Sequence, residues 1–156
     1  MKKIIYFFIL TFFLSNISFA KEKNIQVIDG DTIHIGKNKY RFFGIDAPET
    51  KQICEKDNKK IQCGVIAKNV LKNKIADKIP ECVVKDKDRY QRLVAECFVG
   101  KESLSRFMVR EGYAVAYTQY SKDFIEDEKY AKENKLGIWS MNFQTPSEYR
   151  KSLRNK

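Results

Sequence analysis

Histidine and tryptophan each occur once in the 156 residues, and proline only three times. The lone histidine, His34, lies far from every cysteine, and no two cysteines have the two-to-four-residue spacing of zinc ligands, so a zinc centre is disfavoured. His34 itself reads as a polar strand residue without a catalytic role. No internal repeat or low-complexity tract is present, which excludes solenoid and collagen-like architectures. Apart from one N-terminal stretch, long hydrophobic runs are missing. With 43% hydrophobic and 32% charged residues, the composition is that of a globular chain with room for one modest core.

The one apolar run, Ile4 to Leu14, follows Lys2 and Lys3 and precedes Ser15 to Ala20, with charge resuming at Lys21. These are the parts of a signal peptide, with cleavage expected after Ala20. Residues 1–20 are therefore expected to be removed, leaving a single domain over 21–156 in the periplasm or the medium. An uncleaved leader would instead act as a membrane anchor, with the body still facing outward. Loss of the two leader lysines takes the net charge from +10 to +8. A basic surface concentrates polyanions, because each contact with a phosphate releases condensed counterions. Solubility alone would also explain many lysines, so charge supports a nucleic-acid partner without establishing one.

Four cysteines, Cys54, Cys63, Cys82 and Cys97, form an even set that favours disulfides in an oxidising compartment. Three pairings are possible. A hairpin turning near Arg89-Tyr90 sets residues 82 and 97 opposite each other, which leaves Cys54 to close a loop with Cys63. In a reducing compartment all four would remain thiols.

Strands are expected over Ile25–Ile28, Thr32–Ile35 and Tyr40–Ile45, with a turn at Asn38-Lys39. A polar segment between Cys54 and Cys63 leads into a helix over Val65–Ile79, ended by Pro80. Two strands flank Asp88–Arg92. A second helix runs from Leu104 to Gly112, and a third begins after Ser121 and ends near Leu136-Gly137. The order implies an α+β fold: a five-stranded antiparallel barrel of the OB type with about three α-helices.

Asp29-Gly30-Asp31-Thr32 sets two carboxylates around a glycine, which alone is more often a turn than a metal site. Ile45-Asp46-Ala47-Pro48-Glu49 follows one hairpin later. Folding back about Asn38-Lys39 brings Asp31 and Asp46 to the same end of the paired strands, where they would repel unless a cation lay between them. Oxygen ligation suits a hard ion such as calcium. Arg41 and Arg92 can grip phosphate oxygens in a bidentate fork, and Glu49 can take a proton from an attacking water or order it. Any one of these residues alone would pass for a surface ion pair.

Taken in order, Ile28-Asp29-Gly30-Asp31-Thr32, Arg41, Asp46-Ala47-Pro48-Glu49 and Asp88-Arg89-Tyr90-Gln91-Arg92 resemble the staphylococcal-nuclease-like family. The match runs from about Ile25 to Trp139, and Phe143, Pro146 and Arg150 are similar to its exported, cysteine-containing branch. The resemblance implies an OB-fold nuclease in which Asp31, Asp46 and the carbonyl of Ala47 bind calcium. It implies that Arg41 and Arg92 hold the scissile phosphate, that Glu49 assists the water, and that Arg89, Tyr90 and Tyr117 contact the nucleotide, the tyrosines by stacking. DNA and RNA are the implied substrates, with 3′-phosphate products and no stable protein partner. Ala47 stands where the founding member has Thr, a change without consequence if the ligand is the backbone. A non-catalytic nucleic-acid-binding OB module, or a surface domain that uses the fold as a scaffold, would not need Arg41, Glu49 and Arg92 together. If the two carboxylates crowd each other, Asp46→Ala should abolish cleavage and leave the fold intact.

Overall fold

The computed structural model describes residues 24–155, so the expected leader over residues 1–20 lies outside it. Strands β1 (Ile25–Val27), β2 (Thr32–Ile35) and β3 (Asn38–Phe42) pair antiparallel in succession. Ile35 pairs with Asn38, so the β2–β3 turn is Gly36-Lys37 rather than Asn38-Lys39, with Gly36 at a φ of 60°. Strand β4 (Ile45–Asp46) leaves this sheet.

The polar segment between Cys54 and Cys63 is a hairpin that the sequence reading missed, β5 (Cys54–Lys56) against β6 (Lys59–Ile61). Asp57 and Asn58 at its tip take φ values of 51° and 59°, the left-handed pair that a two-residue hairpin turn demands. Helix α1 (Cys63–Ile75) then stops well before Pro80, because Ala76 swings to a φ of 48° while its N–H still bonds to the Lys72 carbonyl. Strands β7 (Glu81–Lys87) and β8 (Leu93–Val99) form the expected hairpin, with a register irregularity between Val84 and Asp86. Strand β9 (Glu102–Ser103) turns back onto β8.

The main sheet has the order β1-β2-β3-β8-β7, with β9 beside β8. Its one parallel pair is β3–β8, so the expected all-antiparallel arrangement is corrected at this junction. Among the described residues the ladder runs open from β1 to β7, with no hydrogen-bonded closure. Helix α2 (Leu104–Arg110) follows, its first turn capped by the Ser103 hydroxyl, which accepts from the Arg106 N–H at 3.2 Å. Strand β10 (Val115–Ala116) pairs antiparallel with β4, joining Val115 to Asp46. Helix α3 (Ile125–Glu133), a short 3-10 turn over Gly137–Ser140 and helix α4 (Pro146–Arg154) follow, which makes four α-helices among the described residues. The start of α4 combines Pro146 in the first turn with a reciprocal capping box between Thr145 and Glu148.

A main core joins the sheet to α1 and α2, and a smaller cluster gathers Cys54, Cys63, Val115 and Ile138. Ile33, Phe42 and Ala95 from the sheet meet Ala67, Leu71 and Ile75 of α1 and Leu104, Met108 and Val109 of α2, all essentially without solvent contact. Both expected disulfides form, Cys54–Cys63 and Cys82–Cys97, the latter across directly paired strand residues. The second closes a separation of 15 residues, which in the loop-entropy account stabilises the fold by about 3 kcal/mol. No helix among the described residues is long and apolar enough to cross a membrane.

Candidate active site

Asp31 stands between the loop after β1 and the start of β2, and its placement depends on the residue before it. A Cβ on Gly30 would lie 2.7 Å from the Ala47 side chain and 3.0 Å from Ala67, so only glycine lets this loop pack against residue 47 and α1. The closeness is used: the Ala47 N–H donates to Asp31 Oδ2 at 2.7 Å, and the Thr32 hydroxyl donates to Oδ1 at 3.0 Å. Asp31 is 4% exposed and Asp46 1%. Asp46 reaches the same region from β4 rather than from directly across the β2–β3 hairpin.

Arg41 on β3 bridges the two acids. One guanidinium nitrogen contacts Asp31, and the other donates to Asp46 Oδ1 at 2.9 Å. The repulsion anticipated from the sequence is therefore already relieved by an arginine. Burial pulls the Arg41 pKa below its usual range, a trend that Asp46 and Asp29 oppose and that the nearby Arg92 and Arg150 reinforce. Arg41 Nη1 is the buried nitrogen set against Asp31 Oδ1, so the two acids engage both ends of the guanidinium.

Glu49 sits on the loop after β4, fixed from three sides. Its N–H donates to the Gln52 side chain at 3.3 Å, and its carbonyl accepts from the Gln52 N–H at 2.7 Å. Gln52 is fully buried and passes its amide on to the Gln144 carbonyl at 2.7 Å. Helix α1 presses its first turn on the same loop: a Cβ on Gly64 would fall 1.8 Å from the Glu49 carbonyl oxygen. The Cys54–Cys63 bridge anchors that turn one residue earlier.

Arg92 enters from the other side, just before β8, whose parallel pairing sets Leu93 beside Tyr40 and Val94 beside Arg41. Asp88 holds it: Asp88 Oδ1 accepts from the Arg92 and Tyr90 N–H groups, both at 2.9 Å, while Oδ2 accepts from Arg92 Nε at 2.7 Å. Burial works to raise the Asp88 pKa, but the Arg92 and Tyr90 bonds outweigh it and hold the carboxyl below its ordinary 3.8. A depressed acid stabilises the fold above its unfolded pKa and loses that contribution as pH falls through the folded one. The Tyr90 and Arg92 amide resonances should therefore shift together with a midpoint below 3.8 in an NMR titration. A midpoint at or above that value would remove Asp88 as the clamp.

Of the other expected residues, Tyr90 is 69% exposed at the hairpin tip, with Arg89 and Arg92 against its ring at 5.7 Å and 5.5 Å. Tyr117 directly follows β10, its N–H bonded to the Gly44 carbonyl at 2.8 Å and its ring edge-on to Tyr120 at 4.8 Å. Neither tyrosine touches the Asp31–Arg41–Asp46 cluster directly.

One participant was not expected in the cluster. Arg150 of α4 donates from both terminal nitrogens to Asp46, at 3.0 Å and 2.8 Å, and from Nη1 to Glu49 at 2.9 Å. The Asp46 bond, more than the Glu49 one, raises the Arg150 pKa against the effect of burial.

The family profile described as "Staphylococcal nuclease homologue" matches residues 39–141. The chain belongs to the staphylococcal nuclease family. An uncharacterized endonuclease of Haemophilus influenzae is 32% identical over 144 residues, covering 85% of this chain and 76% of its own. The thermonuclease of Staphylococcus hyicus is 33% identical over 139 residues, covering 81% and 80%. Endonuclease YhcR of Bacillus subtilis is 33% identical over 146 residues, yet this chain spans only 12% of its length. Membership in this nuclease family carries the α+β OB-type fold and the hydrolase class expected from the sequence.

Proposed function

We propose that this protein is a calcium-dependent nuclease that hydrolyses phosphodiester bonds of DNA and RNA and leaves 3′-phosphate ends. The observation that carries the reading is the convergence of Asp31, Arg41, Asp46 and Glu49, from three separate stretches of backbone, on one cluster with Arg92 beside it. The relatives named as endonucleases and thermonuclease support the same activity.

The donor chemistry fits a hard cation. Two carboxylates buried to within a few per cent already share one positive group, so negative charge is focused on a single point. Asp31, Asp46 and the carbonyl of Ala47 are the residues that would hold calcium. When bound, calcium supplies Lewis-acid polarisation of a phosphoryl oxygen and lowers the pKa of water. Glu49, 37% exposed in its side chain, accepts the proton of the attacking water. Arg41, which the two acids hold at this point, grips a non-bridging phosphate oxygen once a cation takes its place between them. Arg92 is steered by Asp88 through Nε, which leaves its fork for the same phosphate as negative charge grows. Arg89, Tyr90 and Tyr117 form the outer contacts to the nucleotide, with the exposed ring of Tyr90 and the half-buried ring of Tyr117 stacking on bases.

Two disulfides and the N-terminal apolar run support export to the periplasm or the medium, with a leader cleaved after Ala20. Single-stranded DNA and RNA incubated with the purified protein should be degraded in calcium and left intact in excess chelator. Retardation of DNA without cleavage, with or without calcium, would replace the enzyme by a binding module.

A further inference from the structure

The contact between α4 and the site goes beyond the residues used above, and its interpretation rests on the nuclease reading. Exposed ion pairs usually contribute little, and a helix near the end of a chain could carry one by chance. Arg150 differs on three counts. Its partner Asp46 is 2% exposed in its side chain, and two carboxylates are engaged at once. The segment leading into α4 is also tied to the loop that carries Glu49. Asn142 and Glu55 exchange two main-chain hydrogen bonds at 2.8 Å, Gln52 bonds to the Gln144 carbonyl, and the Tyr149 hydroxyl donates to the Lys51 carbonyl at 3.3 Å.

The decisive geometry is at one atom. Asp46 Oδ1 accepts from Arg41 Nη2 at 2.9 Å and from Arg150 Nη1 at 3.0 Å, so two guanidinium groups from distant parts of the chain meet at a single anionic oxygen. That is the arrangement required to hold one oxygen of a phosphate. Arg41 is 14% exposed in its side chain and Arg150 is 36%, which makes Arg150 the member that faces the entering strand. The charge count agrees. Asp31, Asp46 and Glu49 against Arg41 and Arg150 leave one negative charge, and a divalent cation with a phosphodiester brings one net positive charge.

We propose that Arg150 is a third phosphate-binding guanidinium of this site, held on Asp46 in the free protein and transferred to a substrate phosphate oxygen when the site is filled. The contact with Glu49 keeps it within reach during that exchange.

Binding of a fully phosphorothioate-substituted single-stranded octanucleotide, which keeps the backbone charge and resists hydrolysis, tests this without turnover. Affinity is measured in calcium across a series of salt concentrations for the wild type, Arg150→Lys and Arg150→Ala. Arg150→Ala should bind about tenfold more weakly, the size of one charge-assisted hydrogen bond. Its log–log salt slope should be shallower by about 0.7, one phosphate contact on a single strand. Arg150→Lys should keep the slope and recover part of the affinity, because the charge remains and the fork is lost. Unchanged affinity and slope in both variants, with melting temperatures near the wild type, would overturn the proposal. So would tighter calcium binding with no change in oligonucleotide affinity, which would make Arg150 only a lock on Asp46. Because wild-type cleavage is scored separately, either failure is distinguishable from failure of the nuclease assignment.

Discussion

Arg41→Ala is expected to lower kcat/KM for single-stranded DNA by about 10²–10³-fold, the range for loss of one preorganised oxyanion donor. It should also destabilise the metal-free protein by about 3–5 kcal/mol, because Asp31 and Asp46 would remain buried without the cation that joins them. Calcium should return part of that loss: a ligand at a hundred times its dissociation constant stabilises the folded state by about 2.7 kcal/mol. Thermal melting with calcium and with chelator checks both halves. The calcium-induced rise should be larger in the variant than in the wild type, and equal rises would mean that Arg41 does not stand in for a cation.

Asp46→Ala is expected to cost both activity and stability. From the sequence, removing one of two crowded acids should spare the fold. In the structure Asp46 is 1% exposed and receives hydrogen bonds from Arg41 and Arg150, so no free repulsion remains to be relieved. Its removal strands two guanidinium groups, one of them deeply buried, and should reduce stability by about 3 kcal/mol while abolishing calcium-dependent cleavage. Asp46→Asn, which retains an acceptor oxygen, should lose less stability and just as much activity. Urea unfolding of the two variants beside the wild type provides the comparison. An Asp46→Ala protein as stable as the wild type would show that the arginine clamp contributes nothing.

The parts of the site that were legible in the sequence share short range or strong local chemistry. Asp31 and Asp46 lie within one hairpin and its following strand, and Arg92 lies within a turn that Asp88 closes. Cys82 and Cys97 could be paired because a hairpin register links them. Arg150 was not linked to its partners, since 104 residues separate it from Asp46 and no periodicity connects α4 to β4. The β5–β6 hairpin escaped notice because its strands, Cys-Glu-Lys and Lys-Lys-Ile, are short, charged and not alternating, with the clue confined to Asp57-Asn58. Helix α1 was overextended because proline is a visible stop, whereas the left-handed turn at Ala76 leaves no mark in residue type. Parallel pairing of β3 with β8 is likewise a tertiary choice, set by which edge the later hairpin adds to.

That same junction governs when the protein becomes able to act during its synthesis. Arg41 and Arg92 become neighbours only after β8 has docked along β3, with roughly fifty residues of intervening chain already made and folded around them. A polypeptide interrupted before residue 92 has the first acids and the first arginine but no second arginine beside them. On the proposed reading such a chain holds one of the two guanidinium grips without the other, and the pair is assembled only when the later hairpin docks.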